Sequence, residues 1–128
     1  MLNEGMIQLK RVYEKAEIRD GTRILVDRLW PRGIRRSTAT VDLWMKDVAP
    51  SKELRKWYLH DPDKWPEFRR RYTIELRNSR AFQKLVDLAL TTDPLTLLYA
   101  SKDTKRNNAV VLLSMLNQKL KKLKGNAE

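Results

Sequence analysis

The sequence predicts an α/β fold: a single layered domain with a small, largely parallel sheet flanked by helices. Three observations carry this. The runs Ile24-Leu25-Val26 and LTLLYA (95–100) are aliphatic-rich without alternation, as strands buried on both faces are. Residues 51–90 and the stretch from Ala109 to Leu123 place apolar side chains at helical spacing. Strands toward both ends of the chain, with helices between them, form the order of a layered α/β domain, whose parallel strands are joined by right-handed crossovers.

Taken in order, IQLKRVY (7–13) alternates as a strand and puts Ile7, Leu9, Arg11 and Tyr13 on one face. Asp20-Gly21 is a turn signal, and Ile24 to Val26 then form a strand expected in a central position. That strand runs into RILVDRLWPRG (23–33), where Pro31 supplies no ladder donor and Gly33 permits unusual dihedrals, so the chain must turn. VDLWMKDVA fits either a short strand or a helical turn. Ser51 is a natural N-cap for a first helix that buries Leu54, Trp57 and Tyr58.

A second helix begins near Asp63 to Pro66, since proline is tolerated in a first turn. Its buried stripe is Trp65, Phe68, Tyr72 and Leu76, with Arg69 and Arg71 flanking it and Arg70, Thr73 and Arg77 pointing away. Ile74 also points outward, which a single apolar face does not explain. A third helix from about Arg80 to Leu90 buries Phe82, Leu85, Val86 and Ala89, with Leu90 at the margin, and ends before Asp93-Pro94. LTLLYA follows as a second central strand. SKDTKRNN then leads into a long amphipathic helix carrying Ala109, Leu113, Leu116, Leu120 and Leu123.

A chain of 128 residues suits one domain, 1–128, with a core at about 7–120 and a basic helical tail at 119–128. No apolar stretch approaches the ~20 residues of a spanning helix, so no membrane is expected. MLNEGMIQLK lacks the basic, apolar and small-residue regions of a secretory signal, which makes the cytoplasm the expected location. The absence of cysteine excludes disulfides, thiolate metal sites and a thiol nucleophile. His60 is the single histidine and reads as a solvated loop residue, so no metal site is expected.

Lys and Arg number 27 against 16 Asp and Glu, a net charge of +11. The tail contributes +3 and the remainder +8, so the body itself is basic. Such an excess attracts polyanions, nucleic acid among them, although solubility or a proteome-wide bias explains it as well. Trp57, Trp65, Tyr58 and Tyr72 fall on buried stripes. Trp30 and Trp44 lie outside them and remain candidates for surface stacking.

In open α/β sheets ligands gather beyond the carboxyl ends of the strands. Those ends lead to Arg11 and Tyr13, to Asp27, Arg28 and Arg32, and to Ser101, Lys102 and Asp103, which parallel strands would bring to one edge. Arg28 and Arg32 suit a phosphate or carboxylate; the alternative is internal pairing with Asp27 and Asp20. The last loop places backbone N–H groups near Thr104 to Asn107 for an anion, unless Asp103 caps them itself. Asp27 and Asp103 are the candidate general bases, a role that requires desolvation.

The segments KRVY, DGTRILVDRLWPRG, DLWMKDVAPSKELRKW, FRRRY with IEL, and TLLYASKDTKRNNAVVL resemble the YeaO-like family, DUF488, a bacterial and archaeal domain of unknown function. The resemblance spans roughly residues 7–120. It departs at Thr22, where the family is expected to carry an aromatic residue, and in the Lys-rich tail. It implies no reaction, substrate or cofactor. It does draw attention to Arg11, Asp27, Arg28, Trp30, Pro31, Arg32, Lys102 and Asp103, and to Asn107 or Asn108. The expectation is an anion-facing corner that binds a small anionic or phosphate-bearing ligand, with catalysis left open. The rivals are a nucleic-acid-binding module with a distributed basic surface and a non-catalytic partner-binding protein, the latter resting on Ile74 and the C-terminal helix. Cofactor and oligomeric state are not specified.

Overall fold

A computed structural model describes residues 7–126. The segment on which the localisation reading rests begins outside those residues. Four strands, β1 (Ile7–Arg11), β2 (Thr22–Leu25), β3 (Leu43–Trp44) and β4 (Leu95–Tyr99), form one sheet. The helices are α1 (Lys52–Tyr58), α2 (Trp65–Arg77), α3 (Arg80–Thr91) and α4 (Asn108–Asn126). The strand order is β1-β4-β2-β3 and every pairing is parallel, so the α/β class holds. Leu97 pairs with Leu9 on one side and Ile24 on the other, placing LTLLY in the middle of the sheet as its apolar composition requires.

All four helices feed one core, packed on the face that presents Ile24, Val26, Leu95, Leu97 and Tyr99. Each fully buried Leu or Ile contributes about 1.5–3 kcal/mol relative to exposure. Among the described residues the opposite face carries no α-helix. There Val12, Leu25 and Leu98 are covered by Trp30, Ile34, Val41 and Trp44 from the connection after β2 and from β3. Strands buried on both faces therefore do not imply helices on both, because two Trp rings and a folded loop cover one face here. Trp30 and Trp44 meet edge to face at 5.4 Å and are half-buried, so they are a lid on the sheet rather than free surface aromatics.

At the amino end of the same face sits a polar cluster. Arg23 and Asp20 are both buried and paired, and Lys10 reaches Asp20 at 3.0 Å. Burial opposes the Asp20 charge, but the Glu17 N–H, Lys10 and Arg23 outweigh it and hold its pKa below the ordinary value. Thr96 donates to the Asp20 carbonyl at 2.7 Å. Asp20 thus pairs within this cluster, and Arg28 and Arg32 form no ion pair with it or with Asp27 among the described residues. Gly21 makes the turn at φ 63°, where a Cβ would clash with the Pro94 carbonyl oxygen.

The helical boundaries follow local chemistry. Ser51 Oγ accepts from the Leu54 N–H at 3.1 Å and caps α1, while Asp61 caps a short 3-10 turn, Pro62–Lys64, that runs into α2. The ambiguous VDLWMKDVA resolves into both readings: the two-residue β3, then a 3-10 turn at Lys46–Val48. Phe68, Tyr72 and Leu76 are buried as the wheel requires, and Ile74 is 48% exposed. Leu90, at the margin of α3, is 50% exposed.

Candidate functional site

The carboxyl edge of the sheet opens into a cavity of about 400 Å³. Four parts of the chain give most of its rim and floor, with Tyr13, Phe68 and Ala100 completing the lining. The turn after β2 gives Asp27 to Arg32, the loop before α1 gives Ala49 and Pro50, α1 and its exit give Arg55, Tyr58 and His60, and the loop into α4 gives Ser101, Asn107 and Asn108. This is the position at which open parallel sheets collect ligands.

Asp27 holds the edge together. Beyond Leu25 the ladder continues through one more bond, from the Val26 N–H to the Leu98 carbonyl at 3.1 Å. The Asp27 carboxylate then takes over: Oδ2 accepts from the Ala100 N–H at 2.9 Å and Oδ1 from Asn108 Nδ2 at 3.1 Å. The same Asn108 amide donates to the Val26 carbonyl at 3.0 Å. One side chain therefore ties the end of β2 to the end of β4 and to the first turn of α4. Burial raises the Asp27 pKa, with the Ala100 and Asn108 bonds and His60 pulling the other way.

The cationic wall is assembled from distant parts of the chain. The half-buried Arg28 guanidinium reaches the Pro50 carbonyl through Nε and Nη2, both at 3.4 Å, long for hydrogen bonds. Arg32 and Arg55 line the same cavity, and neither guanidinium has an ion pair or side-chain hydrogen bond among the described residues. The Tyr13 hydroxyl donates to the Arg32 carbonyl at 3.0 Å, which fixes the loop backbone and leaves the Arg32 head to the opening.

The remaining expected site residues fall elsewhere. Arg11 is spent on the strand end: Nε donates to the Ser101 carbonyl and Nη2 to the Ala100 carbonyl, both at 2.9 Å, and its guanidinium stacks 5.0 Å from the Tyr13 ring. Lys102 is exposed and outside the cavity lining. Asp103 caps its own loop, accepting from the Lys105 N–H at 2.9 Å, the Arg106 N–H at 3.0 Å and the Arg106 side chain. Those backbone bonds hold its pKa below the ordinary carboxylate value. Asn107 is buried and lines the cavity, but Oδ1 accepts from the Val110 N–H and Nδ2 donates to the Asp103 carbonyl, so it is first a helix cap. The loop's donors are largely satisfied from within.

Arg55, Tyr58 and His60 join the site without a signal in the sequence. Tyr58 and Phe68 read as core residues and are core residues, stacked at 4.2 Å, yet both also line the cavity. Arg55 lies on the polar side of a short helix, and only the placement of α1 over the sheet edge turns it inward. His60, at φ 56°, stands at the exit of α1 beside Tyr58. Among the described residues no group of His, Asp and Glu is arranged to hold a metal ion, and no helix is long and apolar enough to cross a membrane.

Comparison with known proteins agrees with the residues that bore the resemblance. An uncharacterised Mycobacterium tuberculosis protein is 44% identical over 117 residues, covering 91% of this chain and 98% of the relative. A Mycobacterium bovis protein, also uncharacterised, matches to the same extent. The uncharacterised protein YeaO of Escherichia coli K12 is 47% identical over 111 residues, 86% of this chain and 96% of its own. No solved structure gives a significant match. The family model described as the inactive DUF488-N3 subclade matches residues 6–128, and the chain therefore belongs to that subclade as a YeaO-like domain.

Proposed function

We propose that this domain binds a small anionic ligand, bearing a phosphate or a carboxylate, in the cavity at the carboxyl edge of its sheet. One observation carries the reading: Arg28, Arg32 and Arg55 all line one concave site, and the side chains of two of the three have no hydrogen-bond or ion-pair partner among the described residues. Arginine presents a planar fork that matches carboxylate and phosphate geometry. Binding rather than catalysis is favoured by two further points. The family description reads inactive, and both carboxylates eligible as general bases are committed to structural hydrogen bonds.

The test is calorimetric titration with inorganic phosphate and methyl phosphate, for the parent protein and for Arg28→Ala and Arg55→Ala. A charge-assisted hydrogen bond is worth about 1.5–3 kcal/mol, so each variant should bind roughly ten- to a hundredfold more weakly. Undiminished binding in both variants would remove the site from consideration.

A second reading, contact with nucleic acid, is supported by the outward face of α2. Arg69, Arg70 and Arg77 border a shallow depression there, beside Thr73 and Ile74. Glu67 neutralises part of that face through Arg70 and Arg71 at 2.8 Å. Its signature would be affinity for single-stranded RNA or duplex DNA that falls steeply with salt and depends little on Arg28.

A further inference from the structure

From the shape and lining of the cavity we infer that its ligand is amphipathic, an organic phosphate or carboxylate with an aromatic or other flat apolar body, rather than a bare inorganic oxyanion. This rests on the anion-binding reading above and narrows its ligand class.

Space is the first argument. A cavity of about 400 Å³ falls within the range of small-molecule sites and holds the equivalent of roughly a dozen waters at ~30 Å³ each. An oxyanion head seated on two or three guanidiniums fills a small part of that volume. The rest must be occupied by the body of the ligand or remain wet.

The nature of the walls is the second argument, because a large part of them is apolar. Away from the arginines, and beside the polar group of Asp27, Ser101, Asn107 and Asn108, the lining presents Leu29, Trp30, Pro31, Pro50, Tyr58 and Phe68. Leu29, 60% exposed, adds its apolar side chain to that lining.

Rigidity is the third. The Trp30 indole donates to the Ile34 carbonyl at 2.6 Å, meets Trp44 edge to face, and carries the Arg36 guanidinium 5.1 Å from its ring centre. Tyr58 is stacked on Phe68, and its hydroxyl donates to the Arg106 carbonyl at 3.3 Å. Aromatic walls fixed before the ligand arrives lose little freedom on binding, so apolar contact there converts efficiently into affinity. The Asp27 carboxylate, at the strand end, repels an anionic head, so the arginines are the groups of the lining that attract it. The body is left to the apolar part of the lining.

The experiment compares methyl phosphate with phenyl phosphate by calorimetry at two or more temperatures, in the parent protein and in Arg28→Ala and Arg55→Ala. The inference expects phenyl phosphate to bind at least tenfold more tightly, with a more negative heat-capacity change that marks apolar burial, and both probes to weaken in the arginine variants. Equal affinities for the two esters would overturn the amphipathic class while leaving anion binding intact. Phenyl phosphate affinity that is itself undiminished in both variants would place apolar binding elsewhere and overturn it too. No binding of either ester would overturn both readings together.

Discussion

The role of Asp27 makes a prediction whose sign is set by the structure. Replacing it in Asp27→Ala removes two hydrogen bonds, one to the Ala100 N–H and one to the Asn108 amide. Asn108 keeps its bond to the Val26 carbonyl, so its amide is not orphaned. The Ala100 N–H is left at the end of a central strand, at about 1–3 kcal/mol for an unsatisfied, partly buried donor. A loss of about 2 kcal/mol at neutral pH is expected, read as a lower urea midpoint with an unchanged slope. Its pH dependence is the sharper test. Burial raises the folded-state pKa of Asp27, so between the ordinary carboxylate value and the raised one the folded protein holds more protons than the unfolded chain. Wild-type stability relative to Asp27→Ala must therefore decline as pH rises through that window, and the variant's deficit is largest on the acid side. Asp103 supplies the opposite sign. Its pKa is lowered by the Lys105 and Arg106 N–H groups, so its contribution is present above the ordinary value and is lost as pH falls. The deficit of Asp103→Ala should grow with pH below the ordinary carboxylate value, and that of Asp27→Ala should shrink with pH above it. Parallel pH profiles for the two variants would refute the assignment of Asp27 as a desolvated carboxylate.

Two further substitutions probe the frame around the site. Gly21→Ala places a Cβ against the Pro94 carbonyl at a backbone conformation of φ 63°, ψ −136°, and should cost at least ~3 kcal/mol in chemical denaturation; a change under 1 kcal/mol would mean the turn relaxes freely. Tyr72→Phe removes a buried hydroxyl that donates to the Val48 carbonyl at 2.6 Å beneath the loop leading to Pro50, with an expected loss of about 1–3 kcal/mol and no change in methyl phosphate affinity beyond that of the loop it supports. For the cavity itself, methyl phosphate titrations of Arg28→Ala, Arg55→Ala and the double variant decide whether the arginines act together, because a loss in the double variant that departs from the sum of the single losses marks a shared oxyanion.

Much of this arrangement is legible in order along the chain. Asp20-Gly21, Ser51 and Pro66 act through neighbours one to three residues away, and each does in the structure what local chemistry asks of it. Uniform burial of LTLLY follows from its composition, as does the buried stripe of Phe68, Tyr72 and Leu76. The polar character of the strand ends was also visible, and Asp27, Arg28, Arg32 and Asn107 do meet at one cavity. Arg11, Lys102 and Asp103 sit at the same edge by sequence position but not in its lining. A side chain next to a strand end has a choice of partners, and the free carbonyls and N–H groups of the chain terminus it adjoins are the nearest ones.

The sequence by itself determined the three longer strands and the four helices and which residues stand at their ends, because period, capping and turn chemistry are local, and it left VDLWMKDVA open. It did not determine that β4 enters between β1 and β2, nor that all four helices collect on one face while Trp30 and Trp44 cover the other. Those outcomes depend on contacts between residues some seventy positions apart, such as Asp27 with Ala100. The site inherits this division. Its carboxylate and two of its arginines could be named from one turn, whereas Arg55, Tyr58 and His60 belong to it only because packing lays α1 across the open edge of the sheet.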